Sequence, residues 1–241
     1  MAEASPAALG APAGPRPDLR ILETRVLRGP NYWARVPVVR MLVDLGSLEE
    51  FPTNRIPGFA DALVAILPTL EDHACSLGRR GGFITRLQDG TWVGHVAEHI
   101  ALELQNLAGT SVTYGKTRST GQYGRYNVIF AYGQEDVGIE AGKIAVQLVN
   151  FLAAPDDPSA SFDFASEMER LVRLAERHAF GPSTQALVDE AVGRDIPWIR
   201  LDPFSLVQLG QGVYQQRIRA TMTSRTAAIA VDISSDKSLT N

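Results

Sequence analysis

Two histidines and a glutamate stand close together in the segment GHVAEHIALE (Gly94 to Glu103): His95, Glu98 and His99. Residues four apart on a helix project from one face, so the imidazoles of His95 and His99 point the same way. Two imidazoles at that spacing reach one zinc ion at about 2.0–2.1 Å. Glu98 lies beside them, where its carboxylate takes a proton from water that the metal acidifies towards a pKa of about 7. The chemistry is metal-assisted hydrolysis, with zinc as the cofactor. A catalytic zinc needs a third protein ligand and an open position. Glu135, at the start of the next long helix expected, is the first candidate, and Glu140 the second. Glu103, one turn beyond His99, better suits a partner that orients an imidazole. The competing account is a solvated polar face. Scarcity argues against it: of the four histidines in the chain, two fall at ligand spacing.

The order H-x-x-E-H is the inverted zinc-peptidase pattern. Further along the chain, Arg79 and Arg80 adjoin Gly81-Gly82, and Lys116, Arg118 and Arg125 flank a loop with Tyr123 and Tyr126. Guanidinium forks bind carboxylates through two bonds, so these loops suit a carboxylate-bearing chain. Scattered surface charge is the alternative. Cys75, next to His73 but otherwise without basic neighbours, reads as a small packed residue rather than a nucleophile. Trp33 and Trp92 are expected in the core. No phosphate loop of the G-x-x-x-x-G-K-[ST] kind occurs, and Gly210 and Gly212 in VQLGQGVYQQ form only a lone G-x-G.

The elements that must position these residues follow from hydrophobic period and turn chemistry. Ile21 to Leu27 and Val36 to Leu45 are β-branched, apolar runs and predict strands. Pro57 opens a helix to about Leu67, with Phe59, Leu63 and Ile66 on one stripe. GRRGGF (Gly78 to Phe83) is a glycine corner expected to lead into a short strand. Trp92 to Leu107 is the best-patterned helix, with Val93, Val96, Ile100, Leu104 and Leu107 on one face. Strands near Ser111 to Arg118 and Tyr126 to Tyr132 and a helix from Val137 to Leu152 complete the order β-β-α-β-α-β-β-α. This predicts an α+β domain, with a mixed or antiparallel sheet and helices on one side. A linker by composition, Ala154 to Ser161, and a bridging helix, Phe164 to His178, lead to a small α/β segment. There a helix starts at GPST (Gly181 to Thr184), and strands are expected at Ile196 to Leu201, Leu206 to Leu209, Arg217 to Thr221 and Ala228 to Ile233. The units are a disordered tail over 1–18, a first domain over 19–155, a linker and helix over 156–179, and a second segment over 180–241.

Composition sets the outer limits. The 241 residues carry 45% apolar and 21% charged side chains, as ordinary globular proteins do. A net charge of -4 implies no general attraction to nucleic acid. No apolar run approaches the roughly 20 residues of a membrane span, and the Ala/Pro/Gly-rich start lacks the pattern of a secretory signal. The single cysteine excludes an intrachain disulfide. Together these points predict a cytoplasmic protein with no membrane partner.

Several stretches, in order, resemble one family: ILETRVLRGPNYW, IPGFADALVAILPTLEDHACSLGRRGGF, VGHVAEHIALELQNLAG, GPSTQALVDEA, and IPWIRL with VQLGQGVYQQRIRAT. Together they are similar to the N-terminal region of cyanophycin synthetases, over roughly Ile21 to Lys237. The resemblance implies an N-terminal domain followed by an ATP-grasp domain, which activates the polymer's backbone carboxylate and adds aspartate. A Mur-ligase-like domain then joins arginine to the aspartate side chain. ATP and Mg2+ belong to that full-length parent. The N-terminal domain holds the aspartate-arginine polymer, and in some members it carries a zinc-peptidase site that cuts primers. Carried over, His95 and His99 match zinc ligands, Glu98 the catalytic base and Glu135 the third ligand. Arg79, Arg80, Lys116 and Arg118 are candidates for polymer contact. Ser183 falls where the ATP-grasp region begins and is a candidate contact for the polymer end. The chain stops at SSDKSLTN, where that region has barely begun, so synthesis by this chain alone is not expected. Polymer binding is expected of it, zinc-dependent cleavage is the alternative, and homo-oligomers are implied by the family.

Overall fold

The computed structural model describes residues 18–154, 161–236 and 238. Most of the expected tail, the interior of the expected linker (155–160) and the extreme C-terminus therefore lie outside the described residues. The first domain runs β1 (Arg20–Leu27), β2 (Val38–Asp44), α1 (Phe59–Ile66), α2 (Gly82–Asp89), α3 (Val93–Leu107), β3 (Gly115–Ser119), β4 (Arg125–Ala131) and α4 (Glu135–Leu152). Its sheet has the order β1-β2-β4-β3, and every pairing is antiparallel, which resolves the mixed-or-antiparallel choice.

Alternation in β2 sets the layering. Val39, Met41 and Val43 point to the core, while Arg40 turns to the other face and donates to Asn127 Oδ1 (2.7 Å) and Glu23 Oε2 (3.1 Å). Side chains alternate across a strand, so one face is apolar and the other polar. Helices α3 and α4 lie side by side on the apolar face, α3 over β3 and β4, α4 over β1 and β2. Val96, Ile100 and Leu104 of α3 and Ile144, Leu148 and Val149 of α4 are buried there. Each such side chain stabilises the fold by about 1.5–3 kcal/mol before entropy is subtracted.

The glycine corner differs from expectation. It opens helix α2, not a strand, because Gly81 sits in the left-handed region (φ +75) and turns the chain. Phe83 and Leu87, four apart, then bury on one stripe, which is a helical and not an alternating pattern. A Cβ on Gly82 would run into the Ala74 carbonyl, so only glycine lets the two backbones approach. The corner ties back through Gly81 N to Glu71 O (2.7 Å) and Phe83 N to His73 O (3.1 Å). The segment carrying His73 and Cys75 is thereby fastened over α3. The tryptophans are also placed differently. Trp92 is 45% exposed, with its ring nitrogen donating to Glu49 O (3.1 Å), and Trp33 is only partly buried.

Helix α5 (Phe164–His178) is N-capped by Asp163, whose Oδ1 accepts from Ser166 N (3.1 Å), and packs on α4. Then come α6 (Pro182–Gly193), β5 (Trp198–Arg200), β6 (Leu206–Leu209), β7 (Gln216–Arg219), β8 (Met222–Thr223) and α7 (Ala228–Ser235). Strands β5 to β8 form a second antiparallel sheet in sequence order. The expected strand at Ala228 to Ile233 is helix α7. A strand needs a ladder partner, and among the described residues nothing pairs with that segment. The second core is small: Val188, Val207 and Ile218, with Phe180, Trp198 and Leu209 against them. No helix among the described residues is long and apolar enough to cross a membrane.

Candidate metal centre

Helix α3 has a second stripe besides its core face. His95, Glu98, His99, Leu102, Glu103 and Asn106 recur at helical spacing and line a groove of about 1100 Å³. Leu107, expected on the core face, belongs to this side and is 43% exposed. The groove's other walls come from the fastened segment (Asp72 to Ser76), from Arg86 of α2 and from β3 with its approach (Val112 to Arg118).

At its floor three donor atoms converge. His95 Nε2 and His99 Nε2 are 3.2 Å apart, and Cys75 Sγ is 3.3 Å from His95 Nε2. All three ligand atoms lie within 4.8 Å of one another. Nitrogens about 2.0–2.1 Å and a thiolate sulfur about 2.3 Å from one tetrahedral centre stand about 3.3–3.6 Å from each other. The His95–His99 and Cys75–His95 separations therefore suit a zinc-sized ion, which these three residues would hold. Cys75 adopts φ 50, a left-handed conformation rare outside glycine, as it faces His95. Cys75 packs against the first core, as expected, and its sulfur also faces the two imidazoles.

Burial shapes the titration of the site. Burial, aided by Arg86, pushes His95 down to about 4. His99 is lowered further, by burial first and then by His95, His73 and Arg86. Both imidazoles are accordingly neutral, the form that ligates a metal. Burial raises the Glu98 carboxyl to about 7, with Thr117 and Arg118 pulling the other way. Thr117 Oγ1 donates to Glu98 Oε2 (2.6 Å). Gly115, two residues before Thr117 on the same strand, carries no side chain, and a Cβ there would collide with Glu98 Oε1. Thr91 Oγ1 lies 2.9 Å from His95 Nδ1, and Phe83 stacks on the His99 ring with centroids 4.0 Å apart. His73 reaches His99 Nδ1 with Nδ1 (2.8 Å) and Glu103 Oε2 with Nε2 (2.7 Å).

The remaining expected site residues divide. Glu135 is not brought to the histidines. It heads α4, where Arg28 donates to both its oxygens (2.6 and 2.8 Å), and it lines a separate cleft. The chain enters α4 beside the far end of α3, where Gln105 donates to Ala131 O (3.0 Å). Glu140 is likewise occupied elsewhere, by Lys143 and Arg170 (both 3.1 Å). Lys116 and Arg118 do line the groove. Arg79 and Arg80 lie exposed on the glycine corner, Arg80 bonded to Asp72 Oδ1 (2.7 Å), and neither is part of the lining. Ser183 sits in the first turn of α6 in the second unit and does not border the groove. Sequence reasoning missed Cys75, His73, Arg86 and Thr117. The available signal for the first two was D-H-A-C, which places the single cysteine two residues after another of the four histidines.

Comparison with known proteins yields one family. Residues 40–154 match the cyanophycin synthase-like N-terminal domain. The chain is 45% identical over 221 residues to the cyanophycin synthetase of Geminocystis herdmanii and to that of Synechocystis sp.. It is 44% identical over 221 residues to the cyanophycin synthetase of Crocosphaera subtropica. Each match covers 91% of this chain and 25% of the relative, so the chain spans about a quarter of the length of the curated relatives it matches.

Proposed function

From the match of residues 40–154 to the cyanophycin synthase-like N-terminal domain, we propose that the groove beside α3 is a zinc-dependent hydrolytic site for an aspartate-arginine polymer. The observation that carries this reading is the convergence of Cys75, His95 and His99, with the buried Glu98 lining the same groove. Zinc bound there supplies a Lewis acid that acidifies water and polarises a carbonyl oxygen. Glu98 takes the proton from the attacking water and returns it to the leaving nitrogen. A carboxyl raised to about 7 is matched to proton transfer near neutrality. The Thr117 hydroxyl occupies Oε2, which leaves Oε1 for the proton. A thiol in the ligand set suits a reducing compartment such as the cytoplasm.

The test is metal content and cleavage by the purified chain. Cys75→Ser, His95→Ala and His99→Ala lose stoichiometric zinc, and Glu135→Gln keeps it. Glu98→Gln keeps zinc and cuts the polymer at least about 10²-fold more slowly. Equal cleavage by Glu98→Gln and the parent chain overturns its role. No cleavage by either removes the peptidase reading.

Polymer binding without cleavage is the second reading, and the observation favouring it is the cationic lining of the groove by Arg86, Lys116 and Arg118. Co-sedimentation with insoluble polymer separates the surfaces: replacing Lys116 and Arg118 lowers the bound fraction, and replacing Arg79 and Arg80 does not. In the longer parent, residues 180–241 would open an ATP-grasp domain serving an ATP- and Mg2+-dependent ligase. The exposure of Phe204, Val213, Tyr214 and Ile229 in that segment suits a surface covered by further sequence.

A further inference from the structure

We infer that Glu103 and His73 form a relay that fixes the tautomer of His99 and holds its Nε2 lone pair towards the metal position. The inference rests on the zinc reading above and adds two positioning residues to it.

The argument is an accounting of protons along three bonds. Glu103 is 6% exposed, and its ionised carboxylate can only accept. The bond from His73 holds that carboxyl below its ordinary value, which keeps it ionised. His73 Nε2, 2.7 Å away, must therefore carry the hydrogen. A ligating His99 needs a bare Nε2 and so carries its one N–H on Nδ1, which makes the facing His73 Nδ1 the acceptor. Its partner at 2.8 Å is His99 Nδ1, which donates. Neutral His99 has spent its hydrogen on Nδ1, and Nε2 is left with a bare lone pair. That atom is the one 3.2 Å from His95 Nε2 in the converging cluster.

The surroundings leave the chain of bonds little freedom. Phe83, fully buried, stacks on His99 at an interplanar angle of 22° and blocks a ring flip. The same residue's backbone N–H holds the His73 carbonyl (3.1 Å), so the relay's middle member is tied to the residue that clamps its end. A carboxylate that orients a ligating imidazole is a common device at metal sites. Here an extra imidazole is interposed, because Glu103 sits one turn beyond His99 on the same helix.

The relay is tested on the full chain by competition between zinc and a chromophoric chelator, and by the visible spectrum of the cobalt-substituted protein. Glu103→Gln and His73→Ala each weaken zinc binding by about 10–100-fold, the loss expected of outer partners. Each also shifts the cobalt bands. Because the two act in series, the double variant binds no more weakly than His73→Ala alone. Losses that multiply in the double variant overturn the relay, as do single variants that bind within twofold of the parent. If the parent chain itself takes up no zinc, the site reading fails and the relay with it. Should Glu103→Gln not fold, His73→Gln carries the test, with the same loss expected and unchanged affinity overturning the relay.

Discussion

At the scale of single residues, Glu98 carries a cost that the fold tolerates. Its carboxyl is 4% exposed and raised from an ordinary 4.5 to about 7 by burial. Between those values the folded chain keeps a proton that the unfolded chain releases. Stability therefore falls as pH rises through that window, and the loss is complete above about 7. In the metal-free chain Glu98→Gln removes the penalty while keeping an acceptor for Thr117. It should stabilise the chain by about 1–3 kcal/mol at about pH 8 and by little at about pH 5, read by denaturant unfolding. An equal gain at both pH values would break the assignment of a buried, raised carboxyl. His95, Glu98 and His99 were legible in the sequence because the helical period alone puts them on one face. Cys75 was not, since a non-periodic segment brings it to His95 across 20 residues of chain.

At the scale of elements, the site depends on the corner at Gly81-Gly82 as much as on α3. The glycines were visible as a turn, but what followed was misread. Strand and helix are ambiguous for a run as short as FITRLQD, and the choice was made by burial of Phe83 and Leu87 under the first core. Gly82→Ala forces a side chain into the Ala74 carbonyl. The expected result is destabilisation by about 1–3 kcal/mol, with weakened zinc binding because the Glu71 and His73 carbonyls lose their anchors. Thermal melting and zinc titration check it, and an unchanged melt with full affinity would separate the corner from the site.

At the scale of the whole molecule, two cores of unequal size share the chain. The first spans both long helices and the sheet, whereas the second rests on Val188, Val207 and Ile218. Few buried apolar contacts mean low local stability. Amide exchange should therefore be faster in β5 to β8 than in α3, α4 and β4, by orders of magnitude under native conditions. Equal protection of the two sheets would contradict that ranking. The expected α/β character of the second unit gave way to a purely antiparallel sheet.

Sequence alone determined the local quantities: which segments are amphipathic, where glycine turns the chain, and that two imidazoles and a carboxylate share a helix face. It also carried the resemblance to cyanophycin synthetases, because long stretches agree rather than one motif. Tertiary structure decided which residues meet: it brings Cys75 to His95 and His99 and holds Glu135 away from them, against Arg28. It also decided the bonds of His73 to His99 and Glu103 and the membership of Lys116 and Arg118 in the groove. These are contacts between segments with no common period. They depend on how α3 packs between the sheet edge and the fastened segment over it, which hydrophobic pattern specifies only collectively.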